Sequence, residues 1–180
     1  MKTIYAVLIA TLVLLVTFLG ACGSEDKDVL GSHKVTKLEF EEKEIRVGQQ
    51  MRVEVFFETK TSLVGAPDSV ELVLFLSRAL EFVAGSSSIF DNTTSDKDGR
   101  EPDEIMVCEN GESFLIYRLD NDELEDRTLL EGGYGIRFDV RGASETELAK
   151  IDGAAASSQF FSCDASFPGE KSDEVRVLNS

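Results

Sequence analysis

Met51-Arg52-Val53-Glu54-Val55-Phe56-Phe57-Glu58 places Met51, Val53, Val55 and Phe57 on one side of an extended chain and Arg52, Glu54 and Glu58 on the other. Successive strand side chains point to opposite faces, so a period of two marks a strand with one face in a core and one in water. The same alternation returns in Gly135 to Val140, where Ile136, Phe138 and Val140 oppose Arg137 and Asp139. Upstream, Val35 to Phe40 alternates Leu38 and Phe40 with Lys37 and Glu39, and Glu44 to Val47 leads into a turn at Gly48. Downstream, Val70 to Leu76 follows the turn-like Gly65-Ala66-Pro67-Asp68 and is apolar at nearly every position. Such a run fits a strand covered on both faces or a buried helix, and its length, Val70 and Val73, and the Pro-Asp start favour the strand.

Leu80 to Val83, Ser88 to Phe90, Ile105 to Cys108, Ser113 to Leu119, Gln159 to Cys163 and Glu174 to Leu178 add further short strand segments. So many short strands separated by turn signals predict an all-β sandwich or barrel. One helix is expected, from Ser144 to Ile151: Ser144-Glu145-Thr146-Glu147 matches a capping box, Leu148 and Ile151 could share a face, and Asp152-Gly153 would end it.

The N-terminus has a separate logic. Met1-Lys2 is followed by a charge-free run, Ile4 to Leu19, and then by small residues, which is the order of a secretory signal. A retained membrane helix is the competing reading, but the run of 16 residues falls short of the roughly 20 that cross a bilayer. Leu19-Gly20-Ala21-Cys22 resembles the lipobox of bacterial lipoproteins. The resemblance implies cleavage after Ala21, a diacylglycerol on the Cys22 thiol and a further acyl chain, palmitate or a relative, on its amine. The alternative is a chance cysteine beside an ordinary signal-peptidase site. The expected divisions are therefore a signal peptide over 1–21, a lipidated flexible tether over 22–34, and a β-sandwich domain over 35–180. The tether is polar and glycine-punctuated and holds His33, the one histidine of the chain, which is expected to be solvated.

The chain carries 34 acidic and 18 basic residues, a net charge of −16, and removal of Lys2 with the signal would make it −17. A surface of this sign repels nucleic acid and anionic headgroups, so nucleic-acid binding is set aside. The same charge could attract cationic partners or divalent metal, or simply serve solubility. If Cys22 is acylated, Cys108 and Cys163 remain, and an even remainder in an exported chain predicts a disulfide rather than two buried thiols. Closing that loop would stabilise the fold by roughly 4 kcal/mol in the chain-entropy view.

Two longer segments, Val70 to Leu76 with Leu80-Glu81-Phe82-Val83-Ala84-Gly85-Ser86 and Gly132 to Val140, resemble the immunoglobulin-like repeats of bacterial surface proteins, with Ser77-Arg78-Ala79 where such repeats commonly carry a proline. The resemblance implies an immunoglobulin-like antiparallel sandwich over about 45–178 and no shared catalytic residue. Without a histidine outside the tether, a Ser-His-Asp triad, a Cys-His pair and a histidine-based zinc site each lack a part.

Asp91 to Glu104 is the one metal candidate. Asp91, Asp96, Asp98, Glu101, Asp103 and Glu104 offer the oxygen ligands that calcium takes, but in EF-hand register Thr94 and Ile105 occupy the first and last ligand positions. A solvated acidic loop is the expected state, with calcium as the alternative and no other cofactor. The function expected is a non-enzymatic, lipid-anchored module of a bacterial cell envelope, outer membrane in the first instance, that binds or supports an unidentified protein or envelope partner. A carboxylate-dependent hydrolase of envelope polymers is the alternative, since paired acids are abundant.

Overall fold

The predicted alternation becomes burial along Gln50–Lys60: Met51, Val53, Val55 and Phe57 are buried, while Arg52 is exposed and Glu54 and Glu58 are half-exposed. The computed structural model describes residues 32–60, 69–91, 98–120, 134–156, 162–163, 167 and 169–179. Their strands are β1 (Ser32–Phe40), β2 (Glu44–Arg46), β3 (Gln50–Lys60), β4 (Ser69–Leu76), β5 (Leu80–Phe82), β6 (Ser88–Asp91), β7 (Asp98–Gly99), β8 (Glu104–Val107), β9 (Ser113–Asp120), β10 (Tyr134–Gly142), β11 (Thr146–Ala156) and β12 (Lys171–Leu178). They form two sheets. The first runs β1-β3-β10-β6-β7, with β5 beside the far half of β10, and the second runs β2-β12-β11-β4-β9-β8. Every pairing of named strands is antiparallel except that of β2 with β12.

The inner faces of both sheets share one core. Val53, Val55, Phe57, Ile136, Phe138 and Val140 come from the first sheet and Leu72, Leu74, Leu115, Tyr117, Ile151 and Val177 from the second, all fully enclosed. On the outer face of the first sheet, alternation places opposite charges directly across from one another. Arg137 faces Glu54 at 3.0 Å, and Asp139 faces Arg52 at 3.3 Å. Gly135 stands opposite Phe90, and the Phe90 ring lies over it so closely that a Cβ would come within 2.2 Å of the ring. The glycine makes room for an aromatic that also packs edge-on against Phe56, 5.5 Å away, and under the Arg137 guanidinium.

β4 is apolar on both faces because both are covered. Val70, Leu72, Leu74 and Leu76 enter the inter-sheet core, while Val73 joins Cys108, Phe114 and Ile116 in a second cluster against which Phe75, Met106 and Phe167 pack.

Three expectations from sequence are corrected. Ser144 to Ile151 is not a helix: Thr146 to Ala156 is strand β11, bonded to β12 on one side and β4 on the other. Within the expected helix it is Ala149 and Ile151, two apart, that are buried, and Leu148 is exposed. Glu147 bonds Arg176 across the sheet at 3.0 Å instead of closing a capping box. Burying an eleven-residue strand between two partners outweighs a local cap worth about 1 kcal/mol. Gln159 to Cys163 was expected as strand, yet Ser162 and Cys163 are non-strand, and the rest of that segment lies outside the described residues. β1 begins at Ser32, so His33 and Lys34, assigned from sequence to the tether, stand in a strand opposite Thr59 and Glu58.

The outer edge of β1 is closed by carboxylates. The Val35 N–H donates to Glu170 Oε2 at 2.6 Å, and the same oxygen accepts the Ala155 N–H of β11 at 3.3 Å. The Phe40 N–H donates to Asp173 Oδ2 at 3.0 Å, and Lys43 caps the same carboxylate. Two acids of the β12 region thus hold the first sheet to the second where no strand pairs.

Replacing Gly135 with alanine should destabilise the protein by about 1–3 kcal/mol in denaturant unfolding, through the clash with Phe90. In a Phe90→Leu background the same change should cost clearly less, and an equal cost in both backgrounds would show that the ring is not the obstacle. For Asp173, burial acts to raise the pKa, but hydrogen bonds from Lys43 and from the Phe40 and Glu174 N–H groups, with the Lys43 charge, outweigh it, and the net shift is below the ordinary 3.8. A carboxylate held low in the folded state stabilises the fold above its ordinary pKa and loses that contribution as pH falls through the lowered value. Thermal midpoints measured from neutral pH downward should therefore fall more steeply in this acid range for the wild type than for Asp173→Asn.

Candidate interaction surface

The corner where the chain passes from β7 to β8 is held by charge. Glu101 Oε1 accepts the Ser87 N–H at 3.1 Å. Asp103 accepts the Arg118 N–H at 2.6 Å and a fork from Arg100 at 3.2 and 2.9 Å. Arg118 reaches Glu71 at 3.0 Å and Glu104 at 2.8 Å. Burial works to raise the Asp103 pKa, but the hydrogen bonds from Arg118 and Arg100 and their charges prevail, and it lies below 3.8. Beneath the corner, the Tyr117 hydroxyl meets Ser87 Oγ at 2.9 Å and links the two sheets. Burial, the largest influence, pushes the Tyr117 pKa far up, against a smaller lowering by the Ser87 hydrogen bond.

The acidic segment singled out from sequence is thereby partly accounted for. Glu101, Asp103 and Glu104 are engaged by arginines and a backbone amide, Asp91 and Asp98 lie at the ends of β6 and β7, and Asp96 is outside the described residues. Among the described residues, no three His, Cys, Asp or Glu side chains converge as metal ligands would. Cys22 also lies outside the described residues. His33, expected to be solvated, is half-buried in β1. Neither ring nitrogen has a hydrogen-bond partner among the described residues, and burial lowers its pKa below 6.5.

Cys108 and Cys163 are joined by a disulfide, with their Cα atoms 5.6 Å apart. It ties the β8–β9 turn to the segment carrying Phe167. The Phe167 ring stacks on Phe75 at 6.3 Å and meets Phe114 edge-on at 5.8 Å, while Phe75 and Phe114 lie 5.4 Å apart. The aromatic trio covers the outer face of β4 and β9, so the bond clamps a lid on the second sheet. The sequence pointed to the bond but not to Phe167, whose lone aromatic amid Ser166 and Pro168 carries no period.

Two surfaces stay open. A polar cleft of about 370 Å³ at one end of the sandwich is lined by Ser77, Arg78, Asn110, Glu112, Ser144 and Glu145, among others. The second is β8, the last strand of its sheet among the described residues. Ile105 and Val107 on it are 46% and 71% exposed. The sequence marked this segment as a strand, and Pro102 just before it is a residue typical of strand edges, but nothing in the sequence told an edge from an interior strand.

The chain matches no protein-family model and no curated protein. Among solved structures it is similar to a cohesin module from a Clostridium perfringens family 33 glycoside hydrolase, with 12% identity, a TM-score of 0.46 and coverage of 84% of this chain and 98% of that one. It is also similar to the N-terminal domain of a Streptococcus gordonii adhesin, with 13% identity, a TM-score of 0.47 and coverage of 84% of this chain and 33% of that one. For the full-length major pilin of Corynebacterium diphtheriae the values are 10% identity, a TM-score of 0.42, and 82% and 33% coverage.

Because the disulfide holds the lid, Cys108→Ser with Cys163→Ser should lower stability by about 2–4 kcal/mol and raise binding of a hydrophobic dye over the Phe75 and Phe114 face. Unchanged unfolding and dye binding would mean that the lid stays down without the bond. In unreduced, denatured protein from its native compartment neither thiol should alkylate.

Proposed function

We propose that this chain is a lipoprotein of a bacterial cell envelope, anchored in the outer membrane through acyl chains on Cys22, and that its immunoglobulin-like sandwich is a non-catalytic module that binds or supports a protein or envelope partner. The observation that carries this reading is the Cys108–Cys163 bond, since a structural disulfide that clamps a lid forms and persists outside the reducing cytoplasm. Export is what the charge-free run before Leu19-Gly20-Ala21-Cys22 is suited to, and two or three acyl chains hold a protein stably where one does not. The stretch from Gly23 to Gly31 then spaces the first strand from the membrane. A binding role is supported by the open surfaces: an exposed sheet edge and a cleft at the loop end offer contact area, while three acids of the β7–β8 corner are occupied by Arg100, Arg118 and a backbone amide.

Cells fed a clickable palmitate should label the wild-type chain and leave Cys22→Ser unlabelled as a longer, unprocessed precursor. Equal labelling of the two would refute the anchor.

A further inference from the structure

Among the described residues, strand β8 ends its sheet, with apolar side chains where edge strands usually carry lysine, proline or an inward charge. Its hydrogen-bonding parity follows from the turn beyond it. The Cys108 N–H donates to Glu112 C=O at 2.8 Å, and bonded positions recur at every second residue of an antiparallel pair, so Met106 and Glu104 turn their backbone groups to β9. The N–H and C=O groups of Ile105 and Val107 therefore face away from the sheet. At Asp103 the ladder bulges, with its N–H on Ile116 C=O at 2.8 Å, which confines the open edge to these few residues. Ile105 and Val107 share one side of the strand, opposite Leu115 and Ser113 of β9. Among the described residues they and Leu148 are the large apolar side chains left exposed.

We propose that β8 is a docking edge for an extended segment of another polypeptide, one that alternates basic with apolar residues and adds to the second sheet as a further antiparallel strand. The proposal rests on the reading of this domain as a binding module and names the partner's chemistry. Main-chain groups of Ile105 and Val107 would bond the incoming strand, and its apolar residues would cover their side chains. Charge selects the occupant. Glu109 and Glu112 beyond the end of the strand are acidic, and the whole chain carries −16, so a basic segment is drawn in and a second copy of this chain is repelled.

The full chain in detergent, with its disulfide intact, should bind a short capped peptide alternating lysine with valine. The counterpart alternating glutamate with valine should not bind, nor should the lysine peptide N-methylated at every second residue. Amide exchange at Ile105 and Val107 should slow on binding, and Ile105→Pro, which removes an outward N–H at a position where edge strands tolerate proline, should weaken affinity by at least about tenfold. Should that variant misfold, the N-methylated peptide tests the same bonds on the unaltered protein. Failure of the lysine peptide to bind, equal binding of the glutamate peptide, or protection at amides away from β8 would overturn the proposal. So would a wild-type dimer that Ile105→Lys dissolves, because the edge would then belong to a second copy. An acyl-labelled chain that fails these peptide tests would keep its place in the envelope and lose only this partner.

Discussion

The second sheet must be covered on both sides, and much of the molecule is a response to that constraint. β4 presents Leu72 and Leu74 inward and Val73 and Phe75 outward, so a sandwich alone would leave half of its apolar surface wet. Each fully buried side chain of this size stabilises the fold by about 1.5–3 kcal/mol, so leaving the outer row exposed would be a substantial loss in a protein of ordinary marginal stability. The first sheet covers the inner face. Phe167 packs on the outer one, near the Cys108–Cys163 bond.

The lid explains the disulfide's place. Phe167 meets the sheet through its ring contacts with Phe75 and Phe114, and the entropy of ordering it must be met by them. A covalent tie to the β8–β9 turn reduces that cost by keeping Phe167 near its partners in the unfolded chain as well. The opposite solution serves the first sheet, whose outer face is alternately charged and aromatic and stays in water. There Arg137, Glu54, Arg52 and Asp139 pair across strands, and Gly135 yields its side-chain space to Phe90.

Edges are handled unequally. At β1, the carboxylates of Glu170 and Asp173 take the N–H groups of Val35 and Phe40, so the two sheets are stitched together where a strand would otherwise be exposed. Among the described residues, no side chain does the same for Ile105 and Val107 at β8. An edge that is acidic beyond its far end and apolar at its centre is compatible with solubility because it is short, and the chain's net charge discourages self-pairing. That asymmetry sets the β8 edge apart from the β1 edge.

Elements whose side-chain period matched their final environment were legible in the sequence. β3 and β10 alternate because one face is core and the other water, and β4 reads as continuously apolar because both faces are covered; each pattern follows from local geometry alone. The pairing of Cys108 with Cys163 was legible by count and compartment. What the sequence by itself determined is therefore the class, two-faced strands enough for a sandwich, with a strongly acidic composition. Only the tertiary structure decided that Thr146 to Ala156 is a strand, because Ala149, Ile151 and Ala155 are too small or too few to announce a period, and the gain comes from β4 and β12 on either side. It also decided that His33 belongs to a strand and that Phe167 roofs the second sheet. Whether Ile105 and Val107 lie inside a sheet or at its rim was likewise beyond local pattern, because an edge is defined by which neighbour is missing, and neighbours in a sheet are set by contacts far apart in the chain.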